Sequence, residues 1–138
     1  MENYYIYPVV VERGEVGGYG LYFPDFPGTA ILHDDLTKAI TEAKLMLAFR
    51  ARELEESGQP LPKPSTPESI KLEGPSDRIV FIEVYMPPYR DDAANKAVTK
   101  NCTLPKWLRD AGDEAGVNYS LLLQNAIKEA LGISRHQG

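Results

Sequence analysis

Residues 97–131 read AVTKNCTLPKWLRDAGDEAGVNYSLLLQNAIKEAL, and this stretch decides what kind of fold the chain can adopt. Val98–Leu104 has the length of one short strand. Pro105, with its fixed φ and missing N–H, suits the first position of a helix. Leu104, Leu108, Ala111 and Ala115 share one face of that helix, and Gly116 ends it. Asn118 caps a second helix, in which Leu122, Leu123, Ala126, Ile127 and Ala130 keep helical spacing up to Gly132. A piece this small, under about 40 residues, cannot bury a core by itself. Two copies can: their strands pair antiparallel and their four helices interlock behind the resulting ribbon. Such a ribbon fits the major groove of B-DNA.

Strand alternation then sorts the side chains. Val98, Cys102 and Leu104 face the helices, while Thr99, Asn101 and Thr103 face outward, where hydroxyls and an amide can read base edges. The free amides after Asn118, with the Ser120 hydroxyl, suit a phosphate. Lys96, Lys100 and Lys106 are placed to add phosphate contacts. No arginine lies on the ribbon, so base readout lacks its strongest bidentate donor and DNA binding is expected to be moderate and salt-sensitive. Trp107, near the first turn, is expected to close the small bundle. Cys102 reads as a small buried apolar residue.

Upstream, MPPYRDD (residues 86–92) marks a boundary, stiffened by two prolines and kept wet by two aspartates. The part before it has its own pattern. YYIYPVVVE (residues 4–12) is a strand, with Pro8 suggesting an edge position or a bulge. A glycine-rich hairpin loop leads to a second strand over Tyr19–Phe23. Then come the tight turn Pro24–Gly28, a third short strand over Thr29–Leu32, and a helix capped by Asp35. Leu36, Ala39, Ile40, Ala43, Leu47, Ala51 and Leu54 form its buried stripe, and Gly58 stops it. Four prolines between Gln59 and Ser69 require an extended strap. RIVFIEVY (residues 78–85) is nearly all apolar, which predicts a central strand covered on both faces.

The chain has 138 residues, 43% of them apolar and 25% charged, enough to bury a core in one domain or two small ones. Eleven prolines and eleven glycines exclude a continuous helical bundle. No apolar run approaches the ~20 residues of a bilayer span. The opening MENYYIYPVVVE does not read as a secretory signal, and one cysteine cannot make an intrachain disulfide, so a reducing compartment is expected, with cytoplasm the default. Net charge is −5, and all of it falls within residues 1–90, which hold 9 Lys and Arg against 14 Asp and Glu. That half suits a basic protein partner, and DNA binding belongs to the neutral second part.

Motifs for chemistry are sparse. There is no metal-ligand spacing, no phosphate-binding loop, no dinucleotide fingerprint and no nucleophile elbow, and no cofactor is expected. His33-Asp34-Asp35 is the one cluster that could support acid–base or metal chemistry, and it also reads as a helix cap with its flanks. Asp25 reads as a turn-stabilising carboxylate. His136 lies in a tail, Ser134–Gly138, expected to be loose.

The Thr-Leu-Pro opening of the first C-terminal helix and the Gly-x-Asn-x-Ser opening of the second resemble the ribbon-helix-helix repressors. YYIYPVVVE, YGLYFPDFPGTAILHDDLTKAITEAKLML and GQPLPKPS resemble the N-terminal domain of HicB-type antitoxins. Together the two likenesses span about Tyr4 to Leu131. They imply an α+β protein: a sheet-plus-helix, degenerate RNase H-like domain over residues 1–90 that binds toxin, then a dimeric ribbon-helix-helix domain over residues 96–133. They imply no catalysis. The protein would be the antitoxin of a type II pair, occluding a small basic mRNA-cleaving toxin of HicA type. It would also repress its own operon by binding a palindromic operator as a homodimer, or as tetramers built from dimers.

Carried over by position, Thr99, Asn101 and Thr103 would read bases, Lys100 and Lys106 would meet phosphates, and Asn118 and Ser120 would clamp phosphate. The toxin-contact residues stay unknown, and the turn Phe23–Gly28 is a structural signature. Lys100 stands where such ribbons carry an apolar residue, and Thr99 where a basic one is common. Two other readings stay open. One is a metal-dependent nuclease using Asp25, Asp34 and Asp35. The other is a stand-alone repressor without a toxin.

Overall fold

In a computed structural model, residues 2–14 and 17–133 are described. The tail from Ser134 to Gly138, with His136, lies outside them. The chain divides into two compact units, Met1–Lys96 and Ala97–Gly138.

The first unit holds strands β1 (Tyr4–Arg13), β2 (Tyr19–Tyr22) and β3 (Ile31–His33), helix α1 (Leu36–Glu56), and strand β4 (Arg78–Tyr85). All pairings are antiparallel, in the order β3-β2-β1-β4. One sheet face packs on α1. Odd-numbered residues of β1 face inward, so Tyr7 and Val9 join Leu21, Ile31, Ile82 and Val84 beneath Ala39, Ala43, Leu47, Ala48 and Ala51. Alanines over most of that stripe let the helix lie close to the strands. The Asp35 carboxylate accepts from the Lys38 amide at 3.2 Å and so caps α1 as its position suggested. Gly58, at φ 70°, follows its end.

The turn after β2 is a small core of its own. Phe26 meets Tyr7 and Phe23 edge-on, at ring distances of 4.8 and 6.0 Å. The buried Thr29 hydroxyl accepts from the Phe23 amide and donates to the Phe26 carbonyl. Gly28 turns at φ 77°, which a side chain would strain. The proline strap is pinned to this region. Tyr7 Oη donates to the Pro62 carbonyl at 2.5 Å, and Ser65 donates to both oxygens of Asp25 through its amide and hydroxyl.

Three sequence expectations are corrected here. β4 is an edge strand with one face buried, although RIVFIEVY predicts a central one. Phe81 is 47% exposed, and Ile6, diagonal to it across the β1–β4 ladder, is 48% exposed, so this part of the outer sheet face is open. An apolar run alone cannot distinguish a doubly covered strand from one with an uncovered apolar face. Conversely, β1 is internal despite Pro8. β2 pairs only Val10–Arg13, so on that side Pro8 has no strand to donate to and its missing N–H breaks no pairing. The third strand starts at Ile31, two residues later than expected, because Thr29 is spent closing the turn.

The second unit holds α2 (Lys106–Ala115) and α3 (Tyr119–Leu131). Gly116 (φ 69°) and Gly132 (φ 75°) end them in left-handed conformation. Pro105 is the N-cap of α2, one place earlier than expected. Among the described residues of this unit none is buried. Val98, Trp107, Leu121, Leu122 and Ile127 are exposed, together with Leu104, Leu108 and Leu131. Val98–Leu104 forms no strand within one chain, since a ladder needs a neighbour and all four strands belong to the other unit.

Candidate functional site

The second unit gathers most of the residues singled out for DNA. The segment before α2 and the start of α3 border an open cleft of about 760 Å³, lined by Lys100, Thr103, Arg109, Tyr119 and Ser120 among others. Three of these, Lys100, Thr103 and Ser120, are sequence-predicted site residues. Thr99 and Asn101 are exposed but do not line the cleft. Asn118 is spent on the cap: its side chain accepts from the Leu121 amide at 3.0 Å. That leaves amides earlier in the first turn of α3 for an anion.

Lys106 is paired within α2. Its Nζ lies 2.9 Å from Asp110 Oδ2, and Arg109 donates to Asp110 Oδ1 at 3.1 Å. Both pairs are exposed, so they contribute little and exchange readily for a phosphate.

Sequence reasoning missed Arg109 and Tyr119. Arg109 lies outside both quoted motifs, and it is the fold of the unit, not a local pattern, that brings it to the cleft Lys100 borders. Tyr119 reads as the filler position of Gly-x-Asn-x-Ser. Its hydroxyl lies 2.7 Å from Asp113 Oδ1 and 3.0 Å from the Arg109 carbonyl. The bond to Asp113, with some desolvation, raises the Tyr119 hydroxyl above its ordinary value.

Three expectations for this unit change within a single chain. Cys102 is exposed and borders the cleft, Val98 is 88% exposed, and Trp107 is 70% exposed. The helices have nothing of their own chain in this unit to lay over these residues.

Two of the three carboxylates of the nuclease reading are employed in structural bonds. Asp25 holds Ser65, and Asp35 caps α1. His33 Nδ1 accepts from the Asp35 amide, and its Nε2 lies 3.9 Å from Glu42. Among the described residues no three His, Cys, Asp or Glu side chains are grouped to hold a metal ion. None of the described helices is long and apolar enough to cross a membrane.

A family model described as HicB-like antitoxin of bacterial toxin-antitoxin system matches residues 7–124. Two solved structures share the fold. One, described as a toxin-antitoxin complex from Streptococcus pneumoniae, is 23% identical, with TM-score 0.58, over 92% of this chain and 99% of that one. The other, the antitoxin HicB of Burkholderia pseudomallei, is 21% identical, with TM-score 0.51, over 92% of this chain and 98% of that one. No curated protein matches the chain.

Proposed function

We propose, for a chain that belongs to the HicB-like antitoxin family of bacterial toxin-antitoxin systems, that its two units divide two tasks. The first unit binds the cognate toxin, a small basic mRNA-cleaving protein of HicA type. The second dimerises and binds operator DNA, repressing the pair's own genes in the cytoplasm. A degenerate RNase H-like fold for the first unit and a ribbon-helix-helix for the second are part of this reading.

One observation carries it: two helices, each ended by a left-handed glycine, and the segment before them contain no buried residue among those described. A peptide with that many exposed leucines stays folded by covering them, and a second copy supplies the matching surface. Pairing of the two copies gives Val98–Leu104 its missing neighbour. Thr99, Asn101 and Thr103 then share the outer ribbon face, and Lys100, Arg109 and Ser120 lie near the phosphates.

Neutralisation follows from charge. Residues 1–90, within the first unit, carry a net charge of −5, so that unit competes with RNA phosphates for the toxin's lysines and arginines. The nuclease alternative gains no support, since Asp25 and Asp35 are engaged in structural bonds.

Two measurements test the reading. The chain, mixed with a fluorescent duplex from its own upstream region, is expected to prefer a palindromic site over random DNA at moderate salt. Equal binding to both rejects the repressor role. Co-expression with the adjacent reading frame is expected to yield a complex with a short basic protein, and absence of such a complex leaves the stand-alone repressor.

A further inference from the structure

We infer that Tyr119 is a positioning residue for DNA binding, acting through Gly112, Asp113 and the Arg109 carbonyl. This rests on the proposed DNA-binding role of the second unit. Gly112 stands in the interior of α2, where alanine would favour the helix more. The space beside it explains the glycine. A Cβ at residue 112 would overlap Tyr119 Oη and lie 3.1 Å from Cε1 and Cζ, so the ring occupies the place of a side chain. The hydroxyl cannot swing aside freely, because it is held by Asp113 Oδ1 and the Arg109 carbonyl.

Two consequences follow for the cleft. Only Gly116, Val117 and Asn118 connect α2 to α3, so a side chain reaching back across that turn sets how the start of α3 sits on α2. Tyr119 is the first residue of α3, and Ser120 is the next, so the lock acts within one residue of the proposed phosphate contact. The hydroxyl also binds Asp113, an anion bordering the same cleft as Lys100, Arg109 and Ser120. An Asp113 carboxylate released into that cleft repels phosphate.

The test compares the full-length wild type with Y119F and G112A. Y119F keeps the ring over Gly112 and loses only the hydroxyl, while G112A displaces the ring. Assembly is read by sedimentation, and affinity by titration of the upstream duplex over a salt series. Y119F is expected to assemble like the wild type and bind the operator about fivefold more weakly, the size of one ordinary hydrogen bond. Its salt slope stays unchanged, because no cationic contact is lost. G112A is expected to lose at least as much affinity, and the double variant little more, since both changes break one contact.

Wild-type affinity in both single variants overturns this inference and leaves the DNA reading standing. Failure of Y119F to assemble also overturns it, because Tyr119 is then an assembly residue. A wild type that does not prefer its operator overturns the DNA reading and the inference together.

Discussion

Arg90, just past the end of β4, reaches back to Glu55 in the last turn of α1. Its Nη2 lies 3.1 Å from Oε2 and its Nε 3.2 Å from Oε1, while Tyr5 Oη donates to Oε2 at 2.7 Å. The same guanidinium also binds Asn3 Oδ1 and the Glu2 carbonyl. One side chain therefore ties the start of β1, the end of α1 and the exit from β4. The Glu55 side chain is 6% exposed, so removing Arg90 takes the cationic partner from a largely desolvated carboxylate and leaves it the Tyr5 hydroxyl. R90A is expected to lower unfolding stability by about 2 kcal/mol, read by urea denaturation. A change below about 0.5 kcal/mol would show the network to be idle.

The same carboxylate makes stability depend on pH. Burial works to raise Glu55, but the bonds from Arg90 and Tyr5 outweigh it and hold the group below its ordinary value of 4.5. A depressed carboxyl contributes stability that is present above the unfolded value and lost as pH falls through the folded one. Denaturation curves at about pH 7 and about pH 3 should therefore differ more for the wild type than for E55Q. Equal acid sensitivity of the two proteins would place the loss elsewhere.

Asp25 and Ser65 join the turn after β2 to the proline strap by two bonds. S65A removes the hydroxyl donor and is expected to cost about 1 kcal/mol and expose the strap to limited proteolysis. Tyr7, whose hydroxyl is driven up to about 12 by burial and by the neighbouring Asp25 and Tyr5, remains a donor to Pro62 throughout the neutral range. Y7F should therefore loosen the strap too, and unchanged cleavage in both variants would assign the strap's order to its prolines alone.

Lys106 exchanges Asp110 for a phosphate in the proposed complex. K106A is expected to weaken binding to operator and random duplexes alike and to reduce the salt slope by about one. A loss confined to the operator would make it a reader of sequence.

Trp107 is the chain's one tryptophan and is largely exposed in a single copy. If a second copy covers it, its emission moves to shorter wavelength as concentration rises, with the midpoint matching the dimer dissociation found by sedimentation. A spectrum that stays at long wavelength through that transition would place Trp107 on the outside of the pair.

Local signals in the chain were legible. Asp35 and Asn118 cap as their chemistry requires, and Gly58, Gly116 and Gly132 stop helices where their left-handed conformation is cheap. The stripe from Leu36 to Leu54 packs as its spacing dictates. What failed was position in the sheet. Whether RIVFIEVY lies inside or at the edge depends on which strands lie beside it, and no residue within it carries that information. Pro8 misled for the same reason, since its cost depends on how far β2 extends along β1. In the second unit the cap at Asn118 and the stops at Gly116 and Gly132 were readable, but the place of Tyr119 was not. Its role arises from a glycine seven positions away, across a helix end.

A unit without an interior has no fixed fold of its own to fall back on when its copies are scarce. Under the proposed pairing, occupancy of a DNA site would follow roughly the square of the chain's abundance while single copies predominate. In the proposed dimer, scarcity of the chain would uncover residues 97–133 to proteases, and lifetime and DNA binding would then decline together.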